Sequence, residues 1–195
     1  MRRLIAGCLL TLAVCLPWVT AAPLGPFGAT IAGPTGPDGT EIACELPPSQ
    51  QMHNVGGSDG AGLCVFTSIN HAARFQQVPQ LEDFQAFMRS RPGGGYPEKV
   101  DAMIAACSKS HNMAAPDYLQ SEGMDLELLK KATAQGLMPG VTYSFSPSGR
   151  YNGQRIAHMV NVVHCDDKHF VILDNNYPCT DAHPDNYEWL TPQEF

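Results

Sequence analysis

The periodicity of apolar residues changes once along this chain, and that change limits what it can fold into. From Leu63 to about Gln76 the residues Val65, Phe66, Ile69, Ala72, Ala73 and Phe75 fall on one helical face. Leu81 to about Met88 gives a second helix, stopped by the RPGGGY run at 91–96. Pro97 to about Ser110 gives a third, with Pro97 in its first turn and Glu98 and Asp101 complementing the helix dipole. A fourth runs from Asp125 to Gln135, with Lys130 and Lys131 late in it and Gly136 as its stop. Beyond that point the repeat shortens. Val141 to Phe145 suits a strand, 146–155 is a turn-rich loop, and 156–164 with 169–175 reads as a hairpin. Helices first and an antiparallel sheet afterwards specify an α+β fold, and no internal repeat is present.

Ahead of the first helix lie two segments of different character. Arg2 and Arg3, the apolar run Leu4 to Leu16, and the small residues Thr20, Ala21 and Ala22 describe a secretory signal peptide over 1–22, cut after Ala21 or Ala22. The apolar run is too short for a membrane span and no later segment qualifies. The expected product is secreted or periplasmic, with no stable membrane anchor once the signal is removed. Residues 23–43 are rich in Gly and Pro without a strict three-residue period, which describes a flexible linker. The folded domain is expected to occupy 44–195. The formal net charge is −7, and no basic stripe is present, so the electrostatic footprint of a nucleic-acid partner is missing. Oligomeric state is not encoded legibly.

Of seven cysteines, Cys8 and Cys15 leave with the signal, so the mature set is Cys44, Cys64, Cys107, Cys165 and Cys179. An odd count in an exported chain points to one thiol kept free. If that thiol is Cys64, the other four can make two disulfides, one or none.

Cys64 is the candidate nucleophile. The run Gly56-Gly57, Gly60 and Gly62 delivers it to the first turn of a helix, where the dipole favours the thiolate. Glycines there permit a sharp turn and leave the Cys64 N–H available to an oxyanion. His158 opens an apolar strand, sharing by alternation a face with Val160, Val162 and His164. Antiparallel return of the next strand brings 174–176 beside it, so that Asp174 first, Asn176 second and Asn175 third are candidates to accept the imidazole N–H and fix its tautomer. Asp59 is expected to cap the Cys64 helix or orient its loop. His53, His71 and His111 read as solvent-facing or cap-like, His169 as a strand-end residue, and Asp166-Asp167 as a turn. His164-Cys165 and Cys179-x-x-x-His183 offer zinc-type donors without finger spacing.

Cysteine on a helix, histidine on a strand far downstream and a carboxylate or amide soon after it resemble the papain-like cysteine peptidase superfamily. Both the papain type and the leader-processing peptidases with a Cys-His-Asp triad share that order. The resemblance covers most of 44–178: PPSQQMHN, the helix-borne Cys64, VTYSF, HMVNVV and VILDNN. It implies a papain-like fold, with an N-terminal helical part carrying the nucleophile. Papain-type enzymes place an oxyanion-donating Gln shortly before the cysteine; that spacing falls on Ser58 here, and Asn54 is the candidate replacement. Val65 stands where an aromatic is usual, and Asn176 is followed by Tyr177-Pro178 instead of Ser-Trp. The implied activity is a secreted cysteine hydrolase cutting peptide or amide bonds through a thioester, acting on a peptide or protein, with no metal or organic cofactor. The alternatives are a transglutaminase-type acyl transferase and a non-catalytic binding or interaction domain on the same fold. Thr191-Pro192-Gln193-Glu194 is a capping box one residue before the end, which favours a truncated copy of a longer protein over a frayed tail.

Overall fold

The computed structural model describes residues 11–14, 35–36, 38–95, 97–123, 125–144, 150–152 and 154–195. Most of the segment read as a signal peptide, much of the linker, and the end of the expected 141–145 strand with the first part of the loop after it lie outside the described residues.

Helix α1 (Cys64–Gln76) begins where the glycine run ends. It stops at Gln77, whose left-handed backbone (φ 55°) turns its N–H onto the Ala73 and Arg74 carbonyls. Phe66, Ile69 and Ala73 pack against Leu81, against Phe84 and Met88 of α2 (Phe84–Arg89), and against Val100, Ile104 and Cys107 of α3 (Pro97–Ser110). The polar residues Thr67, Ser68, Asn70 and His71 are buried as well, because α1 is covered on several sides. Their hydrogen bonds stay inside the protein, as burial requires. Ser68 Oγ donates to the Met159 carbonyl at 3.1 Å, and Asn161 Nδ2 donates to the Ser68 carbonyl at 2.9 Å.

Among the described residues the strands form one antiparallel sheet. Its main part is β3 (Gly140–Tyr143), β4 (His158–Cys165), β5 (Phe170–Leu173) and β6 (Glu188–Leu190), in that order. On the β3 side follow β1 (Thr11–Val14) and β2 (Tyr118–Ser121). β1 lies inside the segment read as a signal peptide, so the expected cleavage would remove it and leave β3 as an edge. Helix α4 (Leu126–Ala134), capped by Asp125 on the Leu128 N–H at 3.0 Å, brings Leu129 against Val141, Val160, Val162, Phe170 and Ile172. α1 packs against the other face, through Met159 and, beside Ala72, through Val163, Val171 and Leu173. The architecture is α+β, a sheet with helices on both faces.

Two details depart from the reading of the sequence, one in strand alternation and one in where folded chain begins. β4 and β5 pair Val162 with Ile172 but His164 with Val171, so one extra residue is accommodated at Val163. This bulge moves His164 off the face of Val160 and Val162 and onto that of Val171. Folded chain also starts before Cys44: Thr35 bridges to Glu41, and Gly36 lies so close beneath Trp189 that a Cβ there would stand 2.5 Å from a ring carbon.

The five described cysteines all carry free thiols, so of the pairings left open none is made. Cys165 packs on the α4 side of the sheet and Cys179 in the cluster of Val163 and Val171, so the His164-Cys165 and Cys179-His183 donors do not converge. The Thr191–Glu194 capping contacts form at 2.7 and 3.0 Å, and Phe195 stacks on Phe170 with ring centroids 3.9 Å apart.

Candidate active site

The start of α1, the start of β4 and the end of β5 meet at one point. Cys64 is the first residue of its helix, and Leu63 at the cap position provides no side-chain cap. The first-turn N–H groups are therefore left without a side-chain cap, and that of Val65 helps to stabilise the thiolate. His158 opens β4, with the Met159 N–H a further donor to the sulfur.

Asp174 is the group that orients the histidine. His158 Nε2 lies 2.7 Å from Asp174 Oδ1, and both side chains are buried. The other ring nitrogen is left for Cys64, which acts on the titration of His158 and is acted on by it. Burial opposes the imidazolium, yet the Asp174 hydrogen bond and charge, with the Cys64 contact, outweigh it and raise His158 to about 9. Burial likewise opposes the Cys64 thiolate, but the His158 hydrogen bond and charge, helped by the two backbone N–H groups, bring its pKa below the ordinary value. Asp174 is pushed up by burial and held below the usual carboxylate range by His158, the Asn176 N–H and Tyr151. All three shifts favour a thiolate–imidazolium pair backed by a carboxylate.

The two asparagines do other work. Asn176 does not reach His158: its Nδ2 donates to the Tyr151 hydroxyl at 2.8 Å and its Oδ1 accepts from Asn54 Nδ2 at 3.0 Å. Asn175 is fully buried and donates to Ser68 Oγ, the Met159 carbonyl and the Cys64 carbonyl at 2.9, 2.8 and 3.2 Å. It ties α1 to β4 and makes no hydrogen bond to His158.

Asn54 reaches the site because the glycine run folds back on itself. Gly57 N–H donates to Ala61 O, Gly56 bridges to Gly62, and Leu63 N–H donates to Val55 O at 3.0 Å. Continuing that antiparallel register sets Asn54 opposite Cys64. Asp59 holds the tip by accepting from the Ala61 and Gly93 N–H groups at 3.0 and 2.7 Å, so it orients the loop and does not cap the helix. Gly95 presses on Val65, the residue after Cys64, where a Cβ would stand 2.3 Å from the Val65 Cβ.

Two participants were not legible beforehand. Tyr151 donates to Asp174 Oδ2 at 2.7 Å; the only sequence signal was an aromatic in a turn-rich loop. Its phenol is held protonated by burial and by the Asp174 charge. His71, expected toward solvent, is fully buried. It accepts the Met52 N–H on Nε2 at 2.7 Å and faces Asn161 Oδ1 with Nδ1 at 3.2 Å.

Comparison of the chain with protein-family models, with curated proteins and with solved structures returned no match.

Proposed function

We propose that this protein is an exported cysteine hydrolase with a papain-like domain, cleaving peptide or amide bonds through a thioester on Cys64. The observation that carries the reading is the buried Asp174–His158 contact at 2.7 Å, with Cys64 electrostatically coupled to that histidine from the N-terminus of α1. Asp174 as the third member, with Asn176 outside the relay, is closer to the leader-processing Cys-His-Asp pattern than to that of papain.

The Cys64 thiolate attacks the scissile carbonyl carbon. The Cys64 N–H and the Asn54 side chain hold the oxyanion, replacing the glutamine that the pattern usually supplies. The His158 imidazolium then gives its proton to the leaving amine, and the tetrahedral adduct collapses to a thioester. Neutral His158 next takes a proton from water, which attacks the thioester. Release of the acid regenerates the thiolate and imidazolium. Asp174 keeps Nε2 protonated throughout, so the nitrogen facing Cys64 is the one that exchanges protons.

The test is to mix the protein with an activated ester such as p-nitrophenyl acetate and follow intact mass. An acyl adduct located on Cys64, absent in Cys64→Ser and discharged by water, is the expected result. Discharge by a labelled primary amine in preference to water would move the assignment to acyl transfer. A folded protein that forms no adduct on Cys64 would overturn the reading and leave a binding domain on this fold.

A further inference from the structure

The turn joining β4 to β5 carries His164-x-Asp166-x-x-His169, at the end of the hairpin away from His158. Without the bulge at Val163, His164 would lie on the α4 side of the sheet and His169 on the other. The extra residue pairs His164 with Val171 and Cys165 with Phe170, so both histidines share the face of Val171 and Trp189. The ring centroids of His164 and His169 are 6.3 Å apart, and His169 meets Trp189 edge-on at 5.6 Å. Bulges are over-represented beside functional sites, where they re-aim a side chain.

Asp166 stands between them. Its Oδ2 is 3.2 Å from His164 Nε2 and its Oδ1 is 3.5 Å from His169 Nδ1. One donor atom from each of the three residues can be chosen with all three within 4.8 Å of one another. Both ring nitrogens of His164 and Nδ1 of His169 are sealed from solvent, and none is in hydrogen-bond alignment with a partner among the described residues. Buried imidazole nitrogens left this way are costly and call for a ligand. His169 Nε2 is turned the other way, toward Asp38 Oδ2 at 3.5 Å. Asp38 is brought there by the 35–41 hairpin, which Gly36 allows to settle against Trp189.

We propose that His164, Asp166 and His169 bind a divalent transition metal, zinc in the first instance, with Asp38 orienting His169 from behind. Two neutral imidazoles and a carboxylate suit a borderline ion and not calcium or magnesium, which take oxygen ligands. Bonds of about 2.0–2.2 Å set neighbouring donors in a tetrahedral site roughly 3.3–3.6 Å apart. Asp166 Oδ2 already stands at about that spacing from His164 Nε2, at 3.2 Å, while Oδ1, 3.5 Å from His169 Nδ1, accepts the Lys168 and His169 N–H groups at 2.7 and 2.6 Å and so fixes the carboxylate in place. An N–H on Nε2 shared with Asp38 leaves the Nδ1 lone pair for the ion, the usual arrangement behind a ligating histidine. The bound ion fastens the 35–41 hairpin to the β4–β5 turn, and a fourth position stays open to water.

Equilibrium dialysis of the purified protein against zinc chloride should find one zinc per chain. His164→Gln and His169→Gln should each weaken binding at least tenfold, and Asp38→Asn, which keeps all three ligands, by roughly tenfold. The cobalt(II) form should show tetrahedral d–d bands without a thiolate charge-transfer band, which separates this site from the free cysteines. Should the glutamine variants not fold, zinc should protect His164 and His169 of the unaltered protein from diethylpyrocarbonate, leaving His53 and His183 reactive. Substoichiometric zinc, binding unchanged in both folded variants, a thiolate band, or absence of that protection would each overturn the proposal.

Discussion

Tyr151 and His158 divide one carboxylate between them: the phenol donates to Asp174 Oδ2 and the imidazole holds Oδ1, each at 2.7 Å. A donor on one oxygen draws charge away from the other, so Tyr151 moderates how strongly Asp174 stabilises the imidazolium. Tyr151→Phe should raise the His158 pKa and move the alkaline limb of turnover to higher pH. Loss of a hydrogen bond to a charged group should lower stability by roughly 1–3 kcal/mol. An alkaline limb that stays in place would reduce Tyr151 to packing.

Alkylation and turnover of Cys64 should differ in their pH dependence. Cys64 titrates below the ordinary thiol value and His158 near 9, so the ion pair prevails between the two. Iodoacetamide labelling should fall only on the acid side, as the thiolate is protonated. Peptide turnover should also fall above about pH 9, because the imidazolium proton for the leaving amine is gone. In His158→Ala, burial acts on the thiol without the main opposing partner, and labelling should retreat to alkaline pH. Rates in folded His158→Ala equal to those of the parent at pH 7 would argue against the pair.

Asp174→Asn preserves an acceptor for Nε2 and removes the charge. Burial, the largest influence on His158, then meets weaker opposition, and its pKa should drop below about 9. Turnover should fall roughly 10²- to 10⁴-fold, by analogy with neutralising the acid of a triad. Asn176→Ala, which makes no contact with His158, should cost under about tenfold. Steady-state kinetics on both variants decides which residue positions the base.

His71 should make the fold acid-sensitive. Burial drives its pKa down to about 4, and the Met52 N–H occupies Nε2, so the ring is neutral when folded. Between about 4 and the unfolded value near 6.5 the unfolded chain binds the extra proton, so stability falls as pH falls through that window. The loss should approach 3 kcal/mol in order of magnitude. Denaturant titrations at pH 7 and pH 4.5 measure it, and His71→Gln, though less stable at pH 7, should show a flatter slope.

What was legible in the sequence follows the range of the interactions. α1 and the β4–β5 hairpin carry long apolar periodicities, and Cys64, His158 and Asp174 come together from them alone. β2 and β6 escaped because Tyr118–Ser121 is half-exposed and Glu188–Leu190 spans only three residues with a buried glutamate. His71 was misplaced because its partner Asn161 is distant in sequence. Val163 gives no local sign of a bulge, since no glycine marks it. The role of Asn176 was ranked from sequence spacing, whereas a side chain two residues on from Asp174 faces Tyr151 and Asn54 instead.

The fold-back of the glycine run separates two duties that a straight approach to Cys64 would join. Gly56 and Gly62 close the excursion, and the Val55–Leu63 bond fixes the chain beneath it. Within the excursion, Gly57 sits against Leu63, Gly60 has a left-handed backbone and Asp59 holds the tip, so exposed Ser58 is the position that can change without displacing Asn54 or Cys64. For the proposed reaction this means that a change at Ser58 alters the rim met by a substrate and leaves Cys64 and Asn54 where they are.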